Sequence, residues 1–240
     1  MSDGLKKLKN LKMVEIIPAI LEKDFPEIEK KIHLVEGLVS WVQIDIADNT
    51  IFANTTFLDP EPFSSLIDRQ TRFVTSHKPG LDELDKRLLS FELHMMVKDP
   101  LMYLERFTKV GFKRFFAHVE GQFIEEYIEK CFQLGVEVGL AINGPTDFEM
   151  IHKYMDDVDC ILVMAIEAGE SGRPYREDTT EKIRKIRDVD FEIPIAVDGA
   201  MNDTNAAKVI SAGATRINSN SFIFNSSDVK MAIEQLKSIK

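Results

Sequence analysis

Apolar runs of strand length alternate along this chain with segments whose apolar positions recur at helical spacing, and the alternation repeats eight times from Met13 onward. The strand-like runs are Val14 to Leu21, Trp41 to Ala47, Phe91 to Val97, Arg114 to Val119, Val136 to Ile142, Cys160 to Ile166, Ile193 to Val197 and Arg216 to Phe222. Ile161 to Ile166 is apolar at every position, as a strand is when both of its faces are buried. Between the strands, Ile124, Tyr127, Ile128, Cys131 and Leu134 form one helical stripe, and Val229, Ile233 and Leu236 another. Punctuation agrees with this reading. Asp99-Pro100 supplies an N-cap and a first-turn proline, while Gly111, Gly135 and Gly213 each follow a helix and precede a strand. One stretch breaks the rhythm: Asp68 to Ser90 is long and polar, and is expected to hold the second helix plus an extra loop.

Such alternation is the sequence form of a parallel sheet wrapped by helices. Eight units with no dinucleotide-type glycine fingerprint favour a closed sheet over an open doubly wound one. The expected fold is therefore α/β, a single (β/α)8 TIM barrel over residues 13–240 preceded by a short arm, Met1 to Lys12. A length of 240 residues and a hydrophobic fraction of 44% suit one such barrel.

Composition narrows the functional classes. A formal net charge of -10 argues against a general nucleic-acid binder, which needs a cationic face. Cys131 and Cys160 lack metal-type spacing and read as free core thiols, so a reducing, cytoplasmic setting is expected. No apolar run approaches the ~20 residues needed to span a bilayer, so no membrane role is expected.

In a barrel, the strand ends meet on one face. The polar groups there are Gln43, Asp45, Asp48, His94, His118, Glu120, Asn143, Glu167 and Asp198. Asp45, His94 and Asp198, from the second, third and seventh strands, would point at a common centre, the arrangement needed for a divalent cation or for paired acid and base. The turn Gly169-Glu170-Ser171-Gly172, with Gly199, Asn220 and Ser221, offers backbone and side-chain donors where barrels often bind phosphate, and Arg173 adds a positive charge nearby.

Taken in order, these motifs resemble the ribulose-phosphate 3-epimerase family from Ile16 to Phe224. The match rests on Ile17-Pro18-Ala19-Ile20-Leu21, Gln43-Ile44-Asp45-Ile46-Ala47-Asp48, Leu93-His94-Met95-Met96-Val97-Lys98-Asp99-Pro100, His118-Val119-Glu120, Leu140-Ala141-Ile142-Asn143, Val197-Asp198-Gly199 and Ser221-Phe222-Ile223-Phe224. The resemblance implies a barrel of the ribulose-phosphate-binding type and a metal-dependent isomerase of pentose phosphate metabolism that inverts C3 of a ketopentose 5-phosphate. Asp45 and Asp198 would exchange protons on the two faces of the substrate. Together with His94 and Gln43 they would also hold one divalent ion, Zn, Mn, Fe or Mg. Gly169, Ser171, Gly172, Gly199, Asn220 and Ser221 would bind the substrate phosphate, while Met96, His118, Asn143 and Met164 would line the pocket. The expected partner is a small phosphorylated sugar, and homo-oligomers, common in the family, are open here.

The chain departs from the family at several of these places. Gln43 stands where the family has a metal-binding histidine, Ala19 where it has a serine, Ala47 where it has a methionine, and Glu167-Ala168 where it has Asn-Pro. These departures keep a second expectation in play, an impaired epimerase-like barrel that binds a phosphosugar or a partner. A third class, the orotidine-phosphate decarboxylase and hexulose-phosphate synthase barrels, also resembles this chain but carries Asp-x-Lys-x-x-Asp. Asp45-Ile46-Ala47-Asp48 has no lysine at the needed place.

Overall fold

Strand alternation decides which side chains reach the centre of this molecule and which meet its helices. The computed structural model describes residues 14–76, 89–169 and 172–239. Its strands are β1 (Glu15–Ile20), β2 (Trp41–Ala47), β3 (Ser90–Met96), β4 (Arg114–His118), β5 (Glu137–Ile142), β6 (Cys160–Met164), β7 (Ile195–Asp198) and β8 (Arg216–Ser219). They pair in parallel in sequence order, and β1 also pairs with β8, which closes the barrel.

The helices are α1 (Phe25–Val35), α2 (Glu61–Ser76), α3 (Leu101–Lys109), α4 (Ile124–Leu134), α5 (Glu149–His152), α6 (Thr179–Val189), α7 (Asp203–Ala212), α8 (Ser221–Phe224) and α9 (Val229–Lys237). The starts of α1, α7 and α9 are capped by local side chains. Asp24 accepts from the Glu27 amide at 3.1 Å, Asn202 from Asn205 at 2.9 Å and Asp228 from Met231 at 2.9 Å. Pro100 occupies the N-cap position of α3 rather than its first turn, and the Asp99 carboxylate accepts from Leu101 N–H at 3.0 Å.

Two apolar cores result. Val42, Ile44 and Ile46 of β2, with Leu93 and Met95 of β3, belong to the layer between barrel and helices, joined by the expected α4 stripe of Ile124, Tyr127, Ile128 and Cys131. Ala47, Met96, Phe116, Leu162, Met164 and Ala196 fill the barrel itself. Gly139 is required by that filling, because a Cβ there would sit 2.4 Å from the Phe116 ring.

Two further expectations need correction. The eighth strand ends at Ser219, and the apolar residues beyond it form the single turn α8, preceded by the turn-favouring Asn220. The second helix begins at Glu61, before the Asp68 to Ser90 segment, most of which, like the arm Met1 to Lys12, lies outside the described residues. Among the described residues no helix is long and apolar enough to cross a membrane.

Candidate active site

Register brings the polar groups together. Asp45 lies beside His94 across β2 and β3, Asp198 lies beside Asn218 across β7 and β8, and Gln43 lies one inward position before Asp45. Asp45, His94 and Asp198 are all buried, and one ligand atom from each lies within 4.8 Å of the others, so among the described residues they form a possible metal-binding group. Two carboxylates and an imidazole suit a divalent cation of the zinc, manganese or iron kind. The three donors fit such an ion.

The histidine is set from behind. Glu120 accepts from Asn143 N–H at 2.9 Å and faces His118 Nδ1 at 2.9 Å, which puts the proton of neutral His118 on Nδ1. His118 Nε2 then offers a lone pair to His94 Nε2, also 2.9 Å away, so His94 donates there and turns the lone pair of Nδ1 toward Asp45 Oδ1 at 2.9 Å. Orientation of a ligating histidine through its other ring nitrogen is the usual device at metal centres. With the Asp45 carboxylate beside Nδ1, His94 gains by binding a proton. Burial opposes the charge, but the hydrogen bond and charge of Asp45, followed by the charges of Asp198 and Glu92, push its pKa up. Burial pushes the pKa of His118 down, against the hydrogen bond to Glu120.

Burial and the charge of Asp45 push the Asp198 carboxyl up to about 7, although His94 and the hydrogen bond from Gln43 act in the opposite direction. A buried carboxyl of this kind can hold or release a proton near neutral pH. Beside it, Gln43 Nε2 lies 2.6 Å from Asp198 Oδ2 and 2.8 Å from Asp45 Oδ1, so one amide group spans both carboxylates.

The cleft above these groups has a volume of about 400 Å³. Asp45, His94 and Asp198 form its floor, Met96, Met164 and Leu21 contribute apolar wall, and Gly169, Gly172, Gly199, Asn220 and Ser221 line it from the turns after β6, β7 and β8. Ser171 and Glu170 lie outside the described residues. Arg173 also lines the cleft, paired with Glu167 at 3.1 Å. The remaining sequence candidates sit elsewhere. His118 stands behind His94, with the Phe52 ring edge-on at 4.8 Å, and Asn143 spends its carbonyl on Gly144 and Ala168 N–H at 2.8 and 2.7 Å. Neither is among the residues that line the cleft; in this structure His118 backs His94, and Asn143 ties together the turns after β5 and β6. Asp48 braces its own loop through Thr50 and Tyr103.

Three further residues take part, of which Asn54 and Glu92 escaped the sequence reading. Asn54 donates to the Gly169 carbonyl at 2.6 Å and ties the loop after β2 to the turn after β6. Asn218 and Glu92 form a buried chain beneath Gln43, with Asn218 Nδ2 donating to Gln43 Oε1 at 2.6 Å and to Glu92 Oε1 at 3.0 Å. Their signal was an amide and a carboxylate at inward-facing positions of strands that are otherwise apolar.

Comparison with known proteins agrees with this geometry. A sequence model described as the ribulose-phosphate 3 epimerase family matches residues 15–224. The ribulose-phosphate 3-epimerase of Bacillus subtilis is 28% identical over 235 residues, covering 95% of this chain and 100% of that protein. The corresponding protein of Rhodobacter capsulatus is 27% identical, covering 90% of this chain and 88% of its own. Among solved structures, a 3-keto-L-gulonate-6-phosphate decarboxylase from Vibrio cholerae superposes with a TM-score of 0.68 at 11% identity, over 95% of this chain and 100% of that one. At that identity it shares the fold alone.

Proposed function

The chain belongs to the ribulose-phosphate 3-epimerase family, whose named members are isomerases, and on that footing we propose that it inverts C3 of a ketopentose 5-phosphate of the ribulose/xylulose type. The observation that carries this reading is the pair of buried carboxylates, Asp45 and Asp198, delivered from β2 and β7 to one cleft and bridged by a single amide. Epimerisation needs that pairing. One carboxylate takes the C3 proton, leaving a planar enediolate, and the other, as its carboxylic acid, returns a proton to the opposite face, so the pair ends with the same number of protons and roles reversed.

Asp45, His94 and Asp198 would hold one divalent ion, with His94 binding through the Nδ1 lone pair that Glu120 and His118 leave available. When bound, that ion supplies Lewis-acid stabilisation of the enediolate charge. The chain's own contribution is orientation and exclusion of water. Met96 and Met164 give the floor an apolar rim, and the backbone turns at Gly169, Gly172, Gly199 and Asn220–Ser221 form a wall suited to the substrate phosphate. Arg173 adds charge complementarity for a dianion on the same wall.

The reading predicts that Asp198→Asn, nearly isosteric but unable to act as a base, loses solvent-proton exchange at C3 by at least ~10³-fold while keeping the wild-type melting temperature within a few degrees. Exchange at the wild-type rate in a folded Asp198→Asn protein rules out the assigned role.

A further inference from the structure

Gln43 occupies the centre of the barrel floor, is fully buried and has every polar atom committed. The direction in which its amide faces is set by charge at both ends of the chain it belongs to. Above it are two carboxylates, which accept and so call for the NH2 group. Below it, Glu92 is fully buried, with Oε2 held by Arg114 Nη1 at 2.7 Å, and its other oxygen calls for the Asn218 NH2. That same NH2 then reaches the Gln43 carbonyl. The two requirements meet in one arrangement without conflict, and its cost is the Asn218 carbonyl oxygen, which has no hydrogen-bond partner. Turning Gln43 over would aim its carbonyl at two carboxylates and set its NH2 against that of Asn218. A turned Asn218 would in its turn put a carbonyl against Glu92.

We propose that Gln43 is a positioning residue rather than a metal ligand: its NH2 group bridges Asp45 and Asp198, and Asn218, anchored on Glu92, holds its carbonyl out of the cleft. Among the described residues, the ligands toward a divalent ion are then Asp45, His94 and Asp198, and the spacing of the two proton-transferring carboxylates is fixed by the amide between them. The kinetic consequence rests on the isomerase reading above; the metal-binding consequence does not.

The test is zinc affinity of the full chain, measured by competition with a chromophoric chelator, together with steady-state kinetics on ribulose 5-phosphate. In Gln43→Met, which keeps all three ligands but holds two of them less firmly, zinc affinity falls by less than tenfold, whereas His94→Ala lowers it by about 100-fold or more. In Asn218→Leu, the lock is removed, the carbonyl of Gln43 can turn into the cleft, and zinc binds several-fold tighter; adding Gln43→Met to that variant cancels the gain. Kinetically, Gln43→Met lowers kcat at least tenfold with KM within twofold, the split expected when the reacting carboxylates are misplaced but the substrate contacts remain. A tenfold or greater loss of zinc affinity in Gln43→Met, or looser binding in Asn218→Leu, overturns the proposal by making the amide carbonyl a ligand. Unchanged kcat in Gln43→Met removes the positioning role. If wild-type protein turns over no ribulose 5-phosphate with any metal, the isomerase reading fails while the zinc series still decides the ligand set.

Discussion

Glu120 reaches the cleft chemistry through two histidines, and its own ionisation carries part of the folded state's stability. Burial would raise its carboxyl, but the hydrogen bond from His118 leads a set of donors, with Thr146 and the Asn143 N–H, that holds it down at about 2 against a usual 4.5. A carboxyl lowered on folding contributes stability that is present above the unfolded value, and that contribution is lost as pH falls from about 4.5 through about 2. Glu120→Gln should therefore cost roughly 2 kcal/mol at pH 7 and flatten the acid side of the stability profile, read as urea midpoints between pH 7 and pH 3. A variant with the wild-type acid slope would place the titrating group elsewhere. At this scale the sequence disclosed the groups that meet in the cleft but not their wiring. Asp45, His94 and Asp198 were legible because each ionisable residue interrupts an apolar run at a strand end. Gln43 was legible only as a substituted ligand, since the direction of an amide depends on Asn218 and Glu92, 175 and 49 positions away along the chain, and no spacing rule connects them.

Elements were the most readable level, because a period of two and a period near 3.6 leave different traces in the same apolar alphabet. Boundaries followed less well. Phe222 falls within the expected span of the eighth strand, yet the chain turns at Asn220 and buries Ile223 from the single turn α8 instead. The inward face of the barrel also demanded something that the apolar pattern could not express, namely room for its largest filler. Phe116 occupies the middle of the barrel, and Gly139 on the neighbouring strand yields the space. Gly139→Ala forces a Cβ into contact at 2.4 Å, so the ring or the backbone must shift. The expected cost is about 1–3 kcal/mol, or a fall of roughly 2–10 °C in melting temperature, as found for overpacked cores. Calorimetry checks this, and an unchanged melting temperature would show that Phe116 has an alternative rotamer available to it.

For the whole molecule, closure does the functional work. β2, β3 and β7 are distant in sequence, and only a closed parallel barrel aims Asp45, His94 and Asp198 into one cleft, with the turns after β6, β7 and β8 forming a wall beside them. The same closure encloses the chain from Asp198 through Gln43 and Asn218 to Glu92 and Arg114, which places the carboxylates by side-chain contact inside the barrel rather than by loops. With a net charge of -10, recognition of the proposed anionic substrate would fall to local donors on the cleft wall rather than to the overall field. The central claim, that two buried carboxylates in this cleft exchange a proton at C3 of a ketopentose phosphate, is tested most directly by deuterium incorporation from solvent into ribulose 5-phosphate. The reaction is followed by NMR with the purified protein and added zinc, manganese or ferrous iron. The account predicts deuterium at C3, with the xylulose epimer appearing alongside it, in the presence of metal. A folded, metal-bound protein that leaves C3 fully protiated would contradict it and make this barrel a binder of phosphosugars or partners.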